Sequence, residues 1–342
     1  MTKRVLLTGA SGFVGSHVFR HLLVNTDWEL VCPVTFTHKG VQDRIRLNIE
    51  DNPEYLDRVK LVHIDLASPI SSVTSHAFGR IDYVLNLASE SHVDRSIEDP
   101  SPFIINNVQL ICYLLDWARN SEHLEKFIHI STDEVYGPAE AGYAHREWKD
   151  LHLPSNPYSA SKSAQEDICY AYWRTYDVPI IITNTMNIIG EMQDPEKYVP
   201  LVVKKILRDE TLEIHASIAT GQIGSRYYLH ARNQADGLLH VLNNVDPVKY
   251  DGEGNNLPRR FHIVGEKELN NLQMAELIAD ELGLPLKYKL IDFNKSRPGH
   301  DLRYALDGSQ MAEIGWTPPI PLEESLRKTV RWIYNNQEWL SL

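Results

Sequence analysis

Cysteine is scarce: Cys32, Cys112 and Cys169 are the only three in 342 residues. An odd, widely spaced set makes neither a disulfide framework nor a zinc site, and it fits reduced thiols. Cationic excess is absent too. Lys plus Arg number 34 against 46 Asp plus Glu, a net charge of -12 with histidines neutral, and no long basic run occurs. Nucleic-acid binding rests on neutralising phosphates, so this chain is a poor candidate for it. Any anionic ligand must meet a local cluster of cations or backbone donors. No apolar stretch is long enough to span a bilayer, and Met1-Thr-Lys-Arg-Val-Leu-Leu-Thr8 runs into glycines, not into the apolar segment of a signal peptide. The expectation is a soluble cytoplasmic protein with no metal, no membrane and no nucleic-acid partner. Repeats and low-complexity tracts are also missing. What is present, 43% apolar and 23% charged residues, buries a core. The length suits one large α/β domain, or a main domain with a smaller lobe.

Short β-rich runs punctuate the first half, at residues 5–7, 29–34, 59–64, 83–87, 127–130 and 180–183. Helical periodicity fills the gaps, at 13–26, 103–119 and 158–176. Strands alternating with helices argue for a parallel sheet covered on both faces, the doubly wound α/β class. After about Asn187 the pattern loosens into short helices (199–208, 233–242, 272–282, 322–339) and isolated strands (212–215, 261–264). The expected layout is a cofactor domain over residues 1–186. A mainly substrate-binding lobe follows over 187–342, with the chain crossing back to the first domain.

Thr8-Gly9-Ala10-Ser11-Gly12-Phe13-Val14-Gly15 follows the first strand and opens the first helix. Glycines let the backbone approach a pyrophosphate, while the helix N-terminus offers free N–H groups and a positive dipole. The ribose-binding acid expected about twenty residues on is missing. Val34-Thr35 ends the second strand, and Thr37, His38, Lys39 and Arg44 follow. Hydroxyls and cations there could hold a 2′-phosphate, or form an ordinary solvated loop, so NAD+ and NADP+ both stay open. Asp65-Leu66, after the third strand, suits either an adenine contact or a helix N-cap.

Tyr158-Ser-Ala-Ser-Lys162 places a phenol and an ammonium four apart, on one helix face. Tyrosine ordinarily titrates near ~10. The expectation is that Lys162 and an oxidised nicotinamide lower that value, so that the phenolate acts as a base toward a sugar hydroxyl. Ser131-Thr132-Asp133-Glu134-Val-Tyr-Gly137 sits after another strand, at the ligand edge of an open α/β sheet. A hydride shuttle needs only the hydroxyl. Two carboxylates imply a second proton transfer, one acting as acid and one as base. Adjacent residues of an extended chain point opposite ways, so a turn is required for both to face one substrate.

Together with Ala88-Ser-Glu-Ser-His-Val-Asp-Arg-Ser-Ile97, Asn156-Pro-Tyr158, Pro195-Glu-Lys197 and Arg297-Pro-Gly-His300-Asp-Leu-Arg-Tyr304, these motifs resemble the extended short-chain dehydrogenase/reductases, and among them the nucleotide-sugar 4,6-dehydratases. The resemblance implies a Rossmann-like doubly wound parallel sheet with a smaller mixed α/β lobe, and a tightly bound, recycled NAD+ or NADP+. It also implies roles. Tyr158 takes the sugar 4-hydroxyl proton while hydride leaves C4, with Thr132 bonded to that oxygen and Lys162 beside the phenol. Glu134 removes the C5 proton, Asp133 protonates the departing C6 hydroxyl, and hydride returns to C6. Leu87, Ala88 and Ser89 join Gly9, Ser11, Gly12, Phe13, Val14, Gly15, Thr35, His38, Lys39, Asp65 and Leu66 on the cofactor side. Ser91, His92, Asp94, Asn187, Lys197, Arg226, Arg297 and His300 fall to a nucleotide-diphosphate sugar. The chain departs from the family pattern at Ile188-Ile-Gly-Glu191, Gly221-Gln-Ile-Gly-Ser-Arg226 and Asn233, all in the lobe. The nucleoside base and hexose therefore stay open. An epimerase, another dehydratase regiochemistry such as 5,6, and a non-catalytic cofactor sensor are the alternatives.

Residues 103–119 are apolar on more than one side (Ile104, Ile105, Val108, Ile111, Leu114, Leu115, Trp117). Such a helix is buried in the monomer or packs on a partner. The family resemblance implies a homodimer through it.

Overall fold

The computed structural model describes residues 2–37, 40–292 and 301–341. Strands β1 (Arg4–Thr8), β2 (Glu29–Val34), β3 (Val59–His63), β4 (Tyr83–Asn86), β5 (Lys126–Thr132) and β6 (Ile180–Thr185) fall where the apolar runs lie. They alternate with α1 (Phe13–Asn25), α2 (Gln42–Ile49), α3 (Ser72–Phe78), α4 (Val93–Glu98), α5 (Pro100–Ala118) and α6 (Pro157–Tyr176). The short runs are strands because both faces of the sheet are covered. Val5, Leu7, Leu85 and Ile128 pack on one side, and Leu6, Val84, Phe127 and Ile180 on the other.

Beyond β6 come β7 (Asn187–Ile189), α7 (Tyr198–Leu207), β8 (Leu212–Ala216), β9 (Ser225–His230), α8 (Ala231–Asn244), β10 (Arg259–Ile263), β11 (Glu268–Asn270), α9 (Asn271–Leu282) and β12 (Tyr288–Asp292). Helices Ser309–Glu313 and Leu322–Asn335 follow, and a 3-10 helix, Gln337–Ser341, comes last among the described residues. The large sheet has seven parallel strands in the order β10-β6-β5-β4-β1-β2-β3. Six of these follow the doubly wound order, in which ligands sit outside the strands' C-terminal ends. The seventh, β10, comes from the second half of the chain. Strands β11-β9-β7 and the pair β12-β8 form the smaller lobe, whose core joins Val202, Val203, Ile278 and Val330. The sequence reading missed β7, β9, β11 and β12; two of these are three-residue strands.

Two glycines set the cofactor edge. Gly9 turns the chain at φ 71°, and a Cβ on Gly15 would stand 2.0 Å from the Gly9 carbonyl oxygen. Gly12 caps α1 with no side chain, so the first N–H groups of that helix stay open.

Candidate active site

Strand β5 ends in Thr132, and a 3-10 turn, Asp133–Tyr136, follows at once. This turn aims both carboxylates at one space, as adjacency on an extended strand does not allow. Thr132 Oγ1 donates to Asp133 Oδ1 at 2.9 Å, while Asp133 Oδ2 is buried without a partner among the described residues. Burial first, and the Glu134 charge second, push the Asp133 carboxyl up to about 7. Near neutrality it is thus divided between acid and carboxylate. Burial also raises Glu134, whose Oε2 accepts from Asn156 Nδ2 at 3.3 Å.

Asn156 explains where α6 begins. Its side chain accepts from Ser159 N at 2.9 Å, the Ser159 hydroxyl answers the Asn156 backbone N–H at 3.1 Å, and Pro157 occupies the first turn. One asparagine therefore starts the helix that carries Tyr158 and Lys162 and also holds Glu134. The Thr132 hydroxyl lies near enough to the Tyr158 phenol to oppose the rise in its pKa.

Of the two cations expected to lower the Tyr158 pKa, Lys162 is not among the groups that act on the phenol here. Burial, then Glu134 and Asp133, hold the phenol well above the usual tyrosine range. The Lys162 ammonium donates instead to the Ile130 carbonyl at 3.0 Å and to Gln165 Oε1 at 2.7 Å. Burial lowers Lys162 to about 8, with Glu166 pulling the other way.

A single cleft of about 470 Å³ joins this corner to the glycine loop. Gly9, Ser11, Gly12, Phe13, Val14, Gly15, Thr35, Asp65, Leu66, Leu87, Ala88 and Ser89 line it at the loop end. Thr132, Asp133, Glu134, Tyr158 and Lys162 line the same cleft, as do Ser91, His92, Asn187 and Lys197. The close approach of Gly9 and Gly15 and the uncapped start of α1 fit a dinucleotide pyrophosphate.

A family model described as GDP-mannose 4,6 dehydratase matches residues 6–329. The chain belongs to this family. A dTDP-glucose 4,6-dehydratase of Escherichia coli is 34% identical, over 98% of this chain and 95% of that protein. The crystal structure of a dTDP-glucose 4,6-dehydratase from Streptomyces venezuelae, solved with NAD bound, superposes with a TM-score of 0.84. It is 31% identical, and the match covers 98% of each chain. A UDP-glucuronic acid 4-epimerase from Bacillus cereus, 24% identical with a TM-score of 0.83, covers 97% of this chain and 99% of its own; it shares the fold alone.

Against this dehydratase-family frame several expected residues stand elsewhere. Asp94 lies on α4, outside the cleft lining. Arg226 also lies outside the lining, although its charge still acts to lower the pKa of both Asp133 and Glu134. Its guanidinium donates to the Ser225, Leu302 and Asp301 carbonyls, each at 2.7 Å, and rests over the Tyr304 ring. Arg44, a candidate for a 2′-phosphate, is buried against the Met192 carbonyl at 3.0 Å and Asp194 at 3.2 Å. Thr35 and Thr37 remain at that end of the cleft, their hydroxyls 2.8 Å apart. His38, Lys39, Arg297 and His300 lie outside the described residues.

The cleft also presents Arg95, Asn106, Gln193, Asp194 and Glu196, none singled out from the sequence. Asn107 was missed as well. It is fully buried, and its amide brackets the Glu90 backbone, accepting from the N–H at 2.8 Å and donating to the carbonyl at 3.1 Å. A polar residue on the apolar face of a long helix was the available signal.

Proposed function

We propose that the protein is a nucleotide-sugar 4,6-dehydratase, a hydro-lyase without net redox change, acting on a dTDP- or UDP-glucose type substrate with NAD+. The observation that carries this is the convergence of Thr132, Asp133, Glu134 and Tyr158 on one cleft wall beside the glycine loop. Support comes from the dTDP-glucose dehydratase relatives. The withdrawal of Arg44 from the ribose end favours NAD over its phosphate.

When bound, the nicotinamide supplies a reversible hydride acceptor and, oxidised, a cationic ring. Tyr158 would accept the 4-hydroxyl proton as the phenolate, a form that the cationic ring would favour against the burial and carboxylates that hold the phenol neutral, with Thr132 orienting that oxygen. Lys162, mostly charged at neutral pH, lines the same cleft and would add positive potential once the nicotinamide ribose is bound. Glu134, deprotonated, takes the proton from C5, which the 4-ketone has acidified. Asp133 then gives its proton to the C6 hydroxyl as water leaves. Its elevated pKa suits a donor, and its unpaired Oδ2 is the atom free to act. Lys197, in the cleft lining, would face the diphosphate.

Residues 1–186 would carry the cofactor and the reacting groups, and the lobe the nucleotide. Ile104 and Ile105 stay exposed on α5, which otherwise packs on α6, and this supports a homodimer through that face. No helix among the described residues is long and apolar enough to cross a membrane. Three free cysteines suit a cytoplasmic location.

The test is incubation with dTDP-, UDP- and GDP-glucose and UDP-GlcNAc, read by mass spectrometry. Loss of one water on a hexose is expected; unchanged mass with epimerised product, or bound cofactor with no turnover, overturns the proposal. Glu134→Gln should retain cofactor and lower both dehydration and C5 exchange with deuterated water by about 10²-fold or more. Exchange at the wild-type rate removes Glu134 from its role.

A further inference from the structure

Behind the reacting groups lies a buried network that the proposed chemistry does not use. Arg260 on β10 and Glu166 on α6 form an ion pair between Nη2 and Oε2, with both side chains almost fully enclosed. The Arg260 guanidinium also lies 3.9 Å over the Trp148 ring and reaches His152 Nε2 at 3.2 Å. From this pair two arms run to the 3-10 turn. In the first, Glu166 Oε1 accepts from Asn184 Nδ2 at 2.8 Å, and the same amide donates to the Thr132 carbonyl at 3.0 Å. In the second, Arg260 Nη1 donates to the Tyr136 hydroxyl at 2.9 Å, and that hydroxyl meets His262 Nε2 at 2.9 Å. Thr132 and Tyr136 are the residues that bracket Asp133 and Glu134.

A buried pair of this kind is a poor source of stability, because desolvation offsets most of its attraction. What it supplies is geometry. Each arm ends on an atom whose displacement would carry a carboxylate with it. Glu166 also lies four residues beyond Lys162, one turn along α6 on the same face. The charged or titratable groups around that ammonium are Glu166 and Cys169 from its own helix and His129 from β5, which feels Arg260 as well. Of these Glu166 is the anion.

We propose that the Arg260–Glu166 pair positions the catalytic turn: it fixes Thr132 through Asn184 and Tyr136 directly, and it places a negative charge one turn from Lys162. The assignment rests on the dehydratase reading for its effect on turnover, but not for its effect on Lys162.

The experiment reads both. In the full-length protein, the Lys162 amine is titrated by competitive acetylation and peptide mass spectrometry in wild type, Glu166→Gln and Glu166→Asp. Loss of the carboxylate charge should lower the Lys162 pKa by about one unit or more, and aspartate should restore it. An unchanged titration in Glu166→Gln overturns the electrostatic half. Tyr136→Phe, isosteric and leaving the ion pair in place, tests the clamp. Its kcat for the dehydrated sugar should fall about tenfold or more with KM little changed, while Lys162 titrates as in wild type. Wild-type kcat in Tyr136→Phe overturns the clamp. Absence of wild-type turnover on every nucleotide sugar would instead sink the dehydratase reading, and the Lys162 titration would still decide the pair.

Discussion

The two ends of the cleft are built from different materials. At the glycine loop the wall is backbone: Gly9 at positive φ, Gly15 pressed against a carbonyl, and a helix start with no side-chain cap. At the Thr132 end the wall is side chain: two carboxyls with raised pKa, a phenol held neutral and an ammonium lowered to about 8. The first end selects by shape, and added volume is its enemy. The second selects by proton affinity, so its weakness is an uncompensated charge in a low-dielectric pocket.

Substitutions that change one property and not the other separate the two ends. The largest effect is expected of Tyr158→Phe, which keeps shape and removes the titrating oxygen. Turnover should fall by about 10³-fold, within the range of lost acid–base catalysis, with cofactor retained in the purified protein. Loss of cofactor together with turnover would show that the hydroxyl holds the cofactor and does not serve proton transfer alone. Gly15→Ala comes next and adds no charge at all. Its Cβ, 2.0 Å from the Gly9 oxygen, must displace the loop or α1. A stability loss of about 1–3 kcal/mol and weaker cofactor retention are expected, read by thermal melts and by absorbance of the denatured extract.

The smallest effect concerns pH and lies outside the cleft wall. Burial holds His17 down to about 4 and His262 down to about 3. The unfolded chain protonates these imidazoles below ~6.5, so their stabilising contribution is complete above that value and shrinks as pH falls toward 4 and then 3. Glu191, lowered to about 2 chiefly by its bond to His230 against the cost of burial, acts lower still; its contribution is present above ~4.5 and fades below. Melting temperature should therefore drop by several degrees between pH 7 and pH 4.5, and His17→Asn should flatten part of that slope. A flat profile in the wild type would mean these rings are hydrated.

Much of this was legible in the sequence, and the reason differs by element. Strands β1, β2, β4, β5 and β6 are enclosed, so each carries an apolar run between turn signals, whereas the edge strand β3 has no buried residue and shows only as a short β-rich run. The glycine loop is written in the residues that form it. By contrast Ser225–His230 and Glu268–Asn270 are polar or very short, and only their neighbours make them strands. The same holds for charge. Tyr158 and Lys162 stand four positions apart, which fixes a helix face but not where the ammonium points, and it points at Ile130 and Gln165. Arg44 and Arg226 look like free cations in a string of letters. Burial and nearby carbonyls, invisible there, have claimed both. Arg260 is 94 positions from Glu166, and no local pattern links them.

The arrival of β10 at the end of the large sheet has a consequence for biosynthesis. As the chain leaves the ribosome, residues through β6 can assemble six strands, yet the outermost one keeps a bare edge until residue 259 emerges. Until then Glu166 lacks the Arg260 counter-ion that it has in the finished fold. A nascent or truncated first half is therefore not a smaller working enzyme but an unfinished sheet, open to mispairing along β6, and its reactive corner is set only once the later strand has zipped on.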